Sequence, residues 1–346
     1  MKHFTSLHEA GVEGVEALVS LALRLKRRPV HDKPLTGKTV ALCFMNPSLR
    51  TQVSFEAAAA ALGAHPITLF LGQATYKLEF GDGVVMDGDA AEHAKEAIPV
   101  LARMCDALGV RCFPEGKDWL ADRQDPVLSA FKRYSDKPVI SLESVLGHPC
   151  QALADLMTIK ERMEPKGKKF LLTWAPHVKA LPVAVPHSAA EMAALAGMDV
   201  TIARPPGYDL DLDVMARVRA ACAQRGSRLV VTDKPEEAYE GAHVVYAKNW
   251  GSLERYGQAP NQDPAFKDLW RVTTSKMTRT ARAHFMHCLP VRRNVVVDDA
   301  VLDGPDSVVV DEAENRLHTA KAVLLTLLGA GSQTLKEDTC QTPSTR

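Results

Sequence analysis

Short apolar runs alternate along this chain with longer stretches whose apolar positions recur at helical spacing. In the first half the runs at 39–44, 66–70, 107–112 and 138–142 read as strands, and helical patterns occupy 54–62, 91–104 and 125–134. The second half continues the alternation, with strands at 169–174, 198–203, 228–232, 243–247, 283–287 and 307–310 and helices at 151–162, 186–196, 211–225 and 234–240. Such alternation predicts an α/β fold built from two parallel-sheet domains. The boundary falls near residue 148. A first domain over 1–148 is followed by a second over 149–311, with the helix at 151–162 crossing between them. A last helix lies within 312–330, and the polar, aperiodic residues 331–346 read as a frayed tail.

Three polar clusters sit where predicted strands end. Asn46-Pro47-Ser48-Leu49-Arg50-Thr51 separates the run Val40–Phe44 from an alanine-rich helical stretch, with Ser48 near the N-cap and Arg50 and Thr51 in the first turn. A helix start offers unpaired N–H groups and a positive dipole end, and an arginine with two hydroxyls there makes a phosphate receptor. The plainer reading of that segment alone is a capped helix with an exposed arginine. His148-Pro149-Cys150-Gln151 follows the run Pro138–Leu142 and opens a second helix. His287-Cys288-Leu289-Pro290, then Arg292-Arg293-Asn294, follows Ala283–Met286. Alone, a histidine before proline is a turn residue and a cysteine at a strand end a small core hydrophobe. Gly37-Lys38-Thr39 invites a nucleotide-loop reading. Asp32 stands where the first glycine belongs, however, and the segment precedes a strand instead of following one.

Composition narrows the partners. Lys+Arg and Asp+Glu both count 42, and the pI is near 7.2, so neither nucleic acid nor an anionic membrane is favoured. No apolar run approaches the length of a bilayer span. Seven cysteines without a Cys-x-x-Cys pair suit reduced thiols in the cytoplasm. The first 30 residues carry Glu9, Glu13 and Glu16 early and Lys26-Arg27-Arg28 late, which suits a surface helix and no targeting peptide. His284 and His287, three apart on a strand, face opposite sides, so no metal site is expected. No cofactor is expected either.

Together the three clusters resemble the aspartate/ornithine carbamoyltransferases over residues 2–329. Ser48-Leu49-Arg50-Thr51 is similar to the Ser-x-Arg-Thr phosphate loop, His148-Pro149-Cys150-Gln151 to His-Pro-x-Gln, and His287-Cys288-Leu289-Pro290 to His-Cys-Leu-Pro. The last form marks the ornithine branch, but the Asp-x-x-x-Ser-Met-Gly motif of plain ornithine enzymes is replaced by Tyr246-Ala247-Lys248-Asn249-Trp250. That segment, Met86-Asp87-Gly88-Asp89 and Trp174-Ala175-Pro176-His177 resemble the N-acetylornithine/N-succinylornithine subgroup. A lysine suits an acceptor whose α-nitrogen is acylated and uncharged. In the subgroup, the residue two after Asp-Gly-Asp reads the acyl group: glutamate goes with acetyl, a small residue with succinyl. Ala91 holds that position here, Glu92 is one place off, and Val296 stands where acetyl-type enzymes carry lysine. Both departures lean toward succinyl.

The resemblance implies a reaction and a residue set. Carbamoyl phosphate would pass its carbamoyl group to the δ-amine of an N-acylornithine, in arginine biosynthesis. The first domain would bind carbamoyl phosphate, the second the acylornithine, and the final helix would pack back on the first. Ser48, Leu49, Arg50, Thr51, Tyr76, Arg111 and Arg316 would hold the donor, Tyr76 reaching into a neighbouring subunit's site. His148 would donate to the carbamoyl oxygen. Gln151 and the carbonyls of Cys288 and Leu289 would accept from the carbamoyl NH2, leaving the thiol of Cys288 without a role. Glu143, Lys248 and Ala91 would meet the acylornithine. The family also implies a homotrimer and a deep knot at the loop 174–187. The competing readings are a plain ornithine carbamoyltransferase, a catalytically silent relative that only binds, and a doubly wound nucleotide enzyme. The last lacks a Gly-x-Gly-x-x-Gly after any strand candidate.

Overall fold

The structure, a computed structural model, describes residues 1–28 and 31–329. The expected tail over 331–346 lies outside the described residues. Among these, eleven strands occur in order: β1 Thr39–Phe44, β2 His65–Phe70, β3 Lys77–Glu79, β4 Ala90–His93, β5 Ala107–Arg111, β6 Val139–Glu143, β7 Lys169–Trp174, β8 Asp199–Ala203, β9 Leu229–Thr232, β10 Val244–Lys248 and β11 His284–Met286. They form a four-stranded sheet β2-β1-β5-β6, a five-stranded sheet β11-β10-β7-β8-β9, and the pair β3-β4. Every ladder is parallel.

Parallel strands need crossovers, and the crossover helices cover both sheet faces, which is why the central strands are apolar nearly throughout. In β1, Val40, Leu42 and Phe44 join one buried cluster, while Ala41 and Cys43 join another beneath Ile98, Leu128 and Phe131. Each fully buried large aliphatic or aromatic side chain contributes roughly 1.5–3 kcal/mol. The helix Pro149–Lys160 is buried at every residue from Pro149 to Ile159. It packs on Leu7–Arg27, Ala184–Leu195 and the last helix, Val309–Leu327, which in turn lies on Leu7–Arg27 and Leu49–Ala61. The two sheets are therefore tied by helices sharing one continuous core. Among the described residues no helix is long and apolar enough to cross a membrane.

Register aligns the chemistry. Phe44 pairs with Arg111 and Arg111 with Glu143, so the carboxyl ends of β1, β5 and β6 lie side by side. In the second sheet Lys248 ends β10 beside Trp174 of β7. The loop after β7 is fastened to the segment after β10: Trp174 Nε1 donates to the Trp250 carbonyl at 2.9 Å, Asn249 Nδ2 to that of Ala175 at 2.8 Å, and the Gly251 N–H to that of Leu181 at 2.9 Å.

Two elements differ from the sequence reading. Residues 307–310 form no strand: Ser307 makes a single bridge to Phe285, and the helix begins at Val309. Three successive valines favour extended backbone, but burial at Val309, Glu312, Arg316, Thr319 and Val323 follows helical spacing, and packing overrides propensity. The stretch 91–104 is also not all helix. Ala90–His93 pairs with Lys77–Glu79 as β4, and the helix Ala94–Met104 starts after a His93 N-cap.

Candidate functional site

A cavity of about 350 Å³ opens where the carboxyl ends of the two sheets face each other. It is lined by Ser48, Arg50, Arg111, Glu143, His148, Gln151, Lys248, Cys288, Leu289 and Arg316, together with His177 and the apolar Phe113, Leu181, Pro182, Val185 and Pro290. The crevice beyond strand carboxyl ends is where open α/β sheets bind ligands.

One end is built for an anion. Ser48 caps the helix Leu49–Ala61, its Oγ accepting the Thr51 N–H at 3.3 Å, which leaves the earlier N–H groups of the first turn without helical partners. Arg316 arrives from the last helix, fully buried, and its Nη2 donates to Thr51 Oγ1 at 2.5 Å. Arg111 ends β5, pairs with Glu143, and lies 4.7 Å from the Phe113 ring centroid. The Nε atoms of Arg50 and Arg111 are buried without a hydrogen-bond partner. Burial, and then the neighbouring guanidiniums, pull the pKa values of Arg50 and Arg316 down; for Arg50, Cys288 pushes the other way. Four cationic side chains line this cavity against the single carboxylate of Glu143. Such an excess of buried charge calls for an anionic ligand.

The middle of the cavity mixes donor and acceptor. His148 caps the helix Pro149–Lys160, its backbone N–H donating to Ser188 Oγ at 2.8 Å. Its Nδ1 is buried without a partner and its Nε2 lies 3.7 Å from Glu143 Oε2. Burial, then the charges of Arg316, Arg111, Arg50 and Lys248, push its pKa well below the ordinary histidine value. The ring is thus neutral near pH 7, with one N–H to donate. Gln151 gives both amide hydrogens to carboxylates, Asp155 Oδ1 at 2.8 Å and Glu312 Oε1 at 3.1 Å, and its Oε1 has no protein donor. Leu289 takes a left-handed φ of 55°, with its N–H on His287 Nδ1 at 2.9 Å. Burial pushes the Cys288 thiol up to about 11, so it is no nucleophile near neutrality.

At the other end Lys248 is 8% exposed. Among the described residues its ammonium has no hydrogen-bond or ion-pair partner. Half-buried His177 lines the wall beside it, and Arg292 Nε donates to His177 Nε2 at 3.1 Å. His177, Arg292, Leu181 and Val185 were not singled out as site residues from the sequence. The one available signal was the Pro-containing loop that carries three of them.

Four residues read from the sequence lie elsewhere in this chain. Thr51 is buried just behind the lining, and Leu49 is 75% exposed. Tyr76 is exposed, with its hydroxyl donating to Glu92 Oε2 at 2.6 Å. Ala91 is exposed on β4. Neighbours on a strand face opposite sides, so Glu92 does not stand in for the residue at 91. Val296 is buried in the core and does not line the cavity.

Comparison with known proteins agrees with this geometry. The sequence model of the aspartate/ornithine carbamoyltransferase carbamoyl-P binding domain matches residues 2–161, and that of the Asp/Orn binding domain matches 183–327. The chain is 43% identical over 336 residues to an N-acetylornithine carbamoyltransferase of Xanthomonas campestris pv. campestris, covering 95% of this chain and 98% of the relative. It is 38% identical over 331 residues to an N-succinylornithine carbamoyltransferase of Bacteroides thetaiotaomicron, covering 95% and 99%. A solved structure of a glutamate-to-alanine variant of N-acetyl-L-ornithine transcarbamylase, complexed with carbamyl phosphate and N-succinyl-L-norvaline, superposes with a TM-score of 0.90 at 43% identity, covering 94% of this chain and 100% of that one. Acetylornithine transcarbamylase complexed with acetylcitrulline also gives 0.90, at 42% identity and 94% and 99% coverage.

Proposed function

The chain belongs to the aspartate/ornithine carbamoyltransferase family, and on that footing we propose that it carries the carbamoyl group of carbamoyl phosphate to the δ-amine of an N-acylated ornithine. The products are the N-acylcitrulline and inorganic phosphate, and the step belongs to arginine biosynthesis. The observation that carries the reading is the convergence of Arg50, Arg111 and Arg316 on the start of the helix Leu49–Ala61.

In this reading Ser48, Arg50, the first-turn N–H groups, Arg111 and Arg316 hold the phosphate, about two negative charges placed among guanidiniums already desolvated. Thr51 orients Arg316. Neutral His148 donates to the carbamoyl oxygen, where negative charge grows as the tetrahedral intermediate forms. Gln151 Oε1 and the carbonyls of Cys288 and Leu289 accept from the carbamoyl NH2. The amine nitrogen bonds to the carbamoyl carbon, the carbon–oxygen bond to phosphate breaks, and the proton lost by the amine passes to the departing phosphate. Positioning supplies much of the rate.

For the acceptor, Lys248 meets a carboxylate or acyl oxygen, and Leu181, Val185 and Phe113 pack on the alkyl chain. Glu143 orients the amine and keeps Arg111 in place. Arg292, which donates to the neutral His177, adds positive charge at the acyl end, which suits a succinyl carboxylate. Tyr76 and Ala91 lie outside this cavity, so we assign them to the site of an adjacent subunit in a homotrimer. Ala91, presenting no carboxylate, favours succinyl over acetyl.

The test is a product assay with carbamoyl phosphate and, in turn, ornithine, N-acetylornithine and N-succinylornithine. Acylcitrulline formed from N-succinylornithine in preference to N-acetylornithine is the result predicted. Turnover of free ornithine alone refutes the acyl reading.

A further inference from the structure

Behind Gln151 two carboxyl groups are buried together, Asp155 at 1% exposure and Glu312 at 0%. They come from different helices, Pro149–Lys160 and Val309–Leu327, and neither lines the cavity. Burial is costly for such a pair unless its oxygens are matched to donors. The matching here is specific. Gln151 Nε2 gives one hydrogen to Asp155 Oδ1 at 2.8 Å and the other to Glu312 Oε1 at 3.1 Å. The second oxygen of Glu312 accepts the His287 N–H at 2.9 Å.

We propose that Asp155 and Glu312 are positioning residues that turn the carbamoyl end of the cavity into an all-acceptor surface, and thereby set the preference for a donor bearing NH2 over one bearing CH3. This rests on the carbamoyl-transfer reading above and deepens it. With both amide hydrogens of Gln151 held from behind, its Oε1, which has no protein donor, is the group left for the cavity. The same Glu312 pins the residue that leads into Cys288 and Leu289, whose carbonyls complete the acceptor set. Two strand-end segments more than a hundred residues apart are thus referenced to one side chain. Burial and the nearby Asp155 hold Glu312 well above the usual carboxylate range, and burial lifts Asp155 to about 6.

The two positions answer differently to the isosteric amide. Glu312 uses both oxygens as acceptors, and an amide has only one. In Glu312→Gln an NH2 must oppose either the Gln151 amide or the His287 N–H. Gln151 then turns its own NH2 toward the substrate, or the turn at 287–290 shifts. Asp155 uses Oδ1 toward Gln151, while Oδ2 has no hydrogen-bond partner. Asp155→Asn can keep that acceptor and turn its NH2 to the side away from Gln151.

The experiment measures acetyl phosphate as a competitive inhibitor against carbamoyl phosphate in the full-length protein, and takes the ratio of its Ki to the KM of carbamoyl phosphate. A ratio within one variant cancels any loss of active protein. An opposed buried donor is worth about 1–3 kcal/mol, so Glu312→Gln should lower the ratio by about 5- to 150-fold. Asp155→Asn should lower it several-fold at most. Equal losses in the two variants, or an unchanged ratio in Glu312→Gln, overturn the proposal. If Glu312→Gln yields no folded protein, Asp155→Asn decides: a collapse of its ratio to near one overturns it, retention supports it. A wild-type protein that does not use carbamoyl phosphate at all refutes the functional reading instead.

Discussion

Arg316→Gln separates a ligand-binding arginine from a structural one, because the two roles move stability in opposite directions. Arg316 is buried, donates to Thr51 Oγ1 at 2.5 Å, and faces Arg50 and Arg111. Its pKa is lowered chiefly by burial and then by those two guanidiniums. Without an anion the charge therefore costs desolvation and repulsion together. Glutamine removes the charge, and its amide stops short of the point where Nη2 meets Thr51. In the ligand-free protein the substitution should raise stability by about 1–3 kcal/mol, a rise of several degrees in Tm. Toward the donor it should cost roughly 3–5 kcal/mol, the loss typical of breaking a buried charge pair, or about 10²- to 10⁴-fold in Kd. The assay is calorimetric titration with phosphonoacetamide, an inert mimic of carbamoyl phosphate, alongside melting curves with and without it. Saturating mimic should raise the wild-type Tm and leave the variant's almost unchanged. A Kd within threefold of wild type refutes the phosphate assignment. A fall in the ligand-free Tm with binding retained makes Arg316 a structural residue.

Three further outcomes follow from the same geometry. Because His148 is already neutral, log(kcat/KM) for the acylornithine should climb with unit slope toward the amine pKa near 10, with no inflection between pH 6 and 8; an acid limb near 6.5 that His148→Asn abolishes would contradict this. Ala91→Glu should depress N-succinylornithine turnover relative to N-acetylornithine by about tenfold or more, a like-charge clash of at least 1.4 kcal/mol, and an unchanged ratio counts against the acyl-reading role of position 91. His187 is buried with its pKa lowered to about 4 from 6.5, chiefly by burial. The unfolded chain therefore takes up this proton first as pH falls. The contribution is whole above pH 6.5 and is lost progressively toward pH 4, to about 3 kcal/mol. Chemical denaturation across that window should show a shallower acid decline in His187→Gln; identical slopes in the two proteins would remove His187 from the acid response.

The parts of the site that could be read in the sequence were those whose chemistry is local. Ser48, Arg50 and Thr51 declare themselves because an N-cap, a first-turn arginine and the preceding strand lie within a dozen residues of each other. His148 and Gln151 follow the same rule. Arg111 and Arg316 carry no local signal of their own and enter the sequence reading only through the resemblance. What singles them out is a sheet register that sets Arg111 beside Phe44 and a helix that brings position 316 against Thr51. His177 and Arg292 meet across more than a hundred residues, and no periodicity reports such a contact. The misread elements have the same origin. Ala90–His93 is extended because Lys77–Glu79 is there to pair with it, and a helix starts at Val309 because that residue and those at helical spacing after it pack into the core. Local preference yields where a distant partner supplies more burial or hydrogen bonding.

The most direct measurement is a crystal structure of the full-length protein with a bisubstrate analogue, a phosphonoacetyl group joined to the δ-nitrogen of N-succinylornithine. The phosphonate should lie at the start of the helix Leu49–Ala61 between Arg50, Arg111 and Arg316. The amide oxygen should lie on His148 and the succinyl carboxylate beside Lys248, His177 and Arg292. A phosphonate bound away from the three arginines, with that cavity left to solvent, would contradict it.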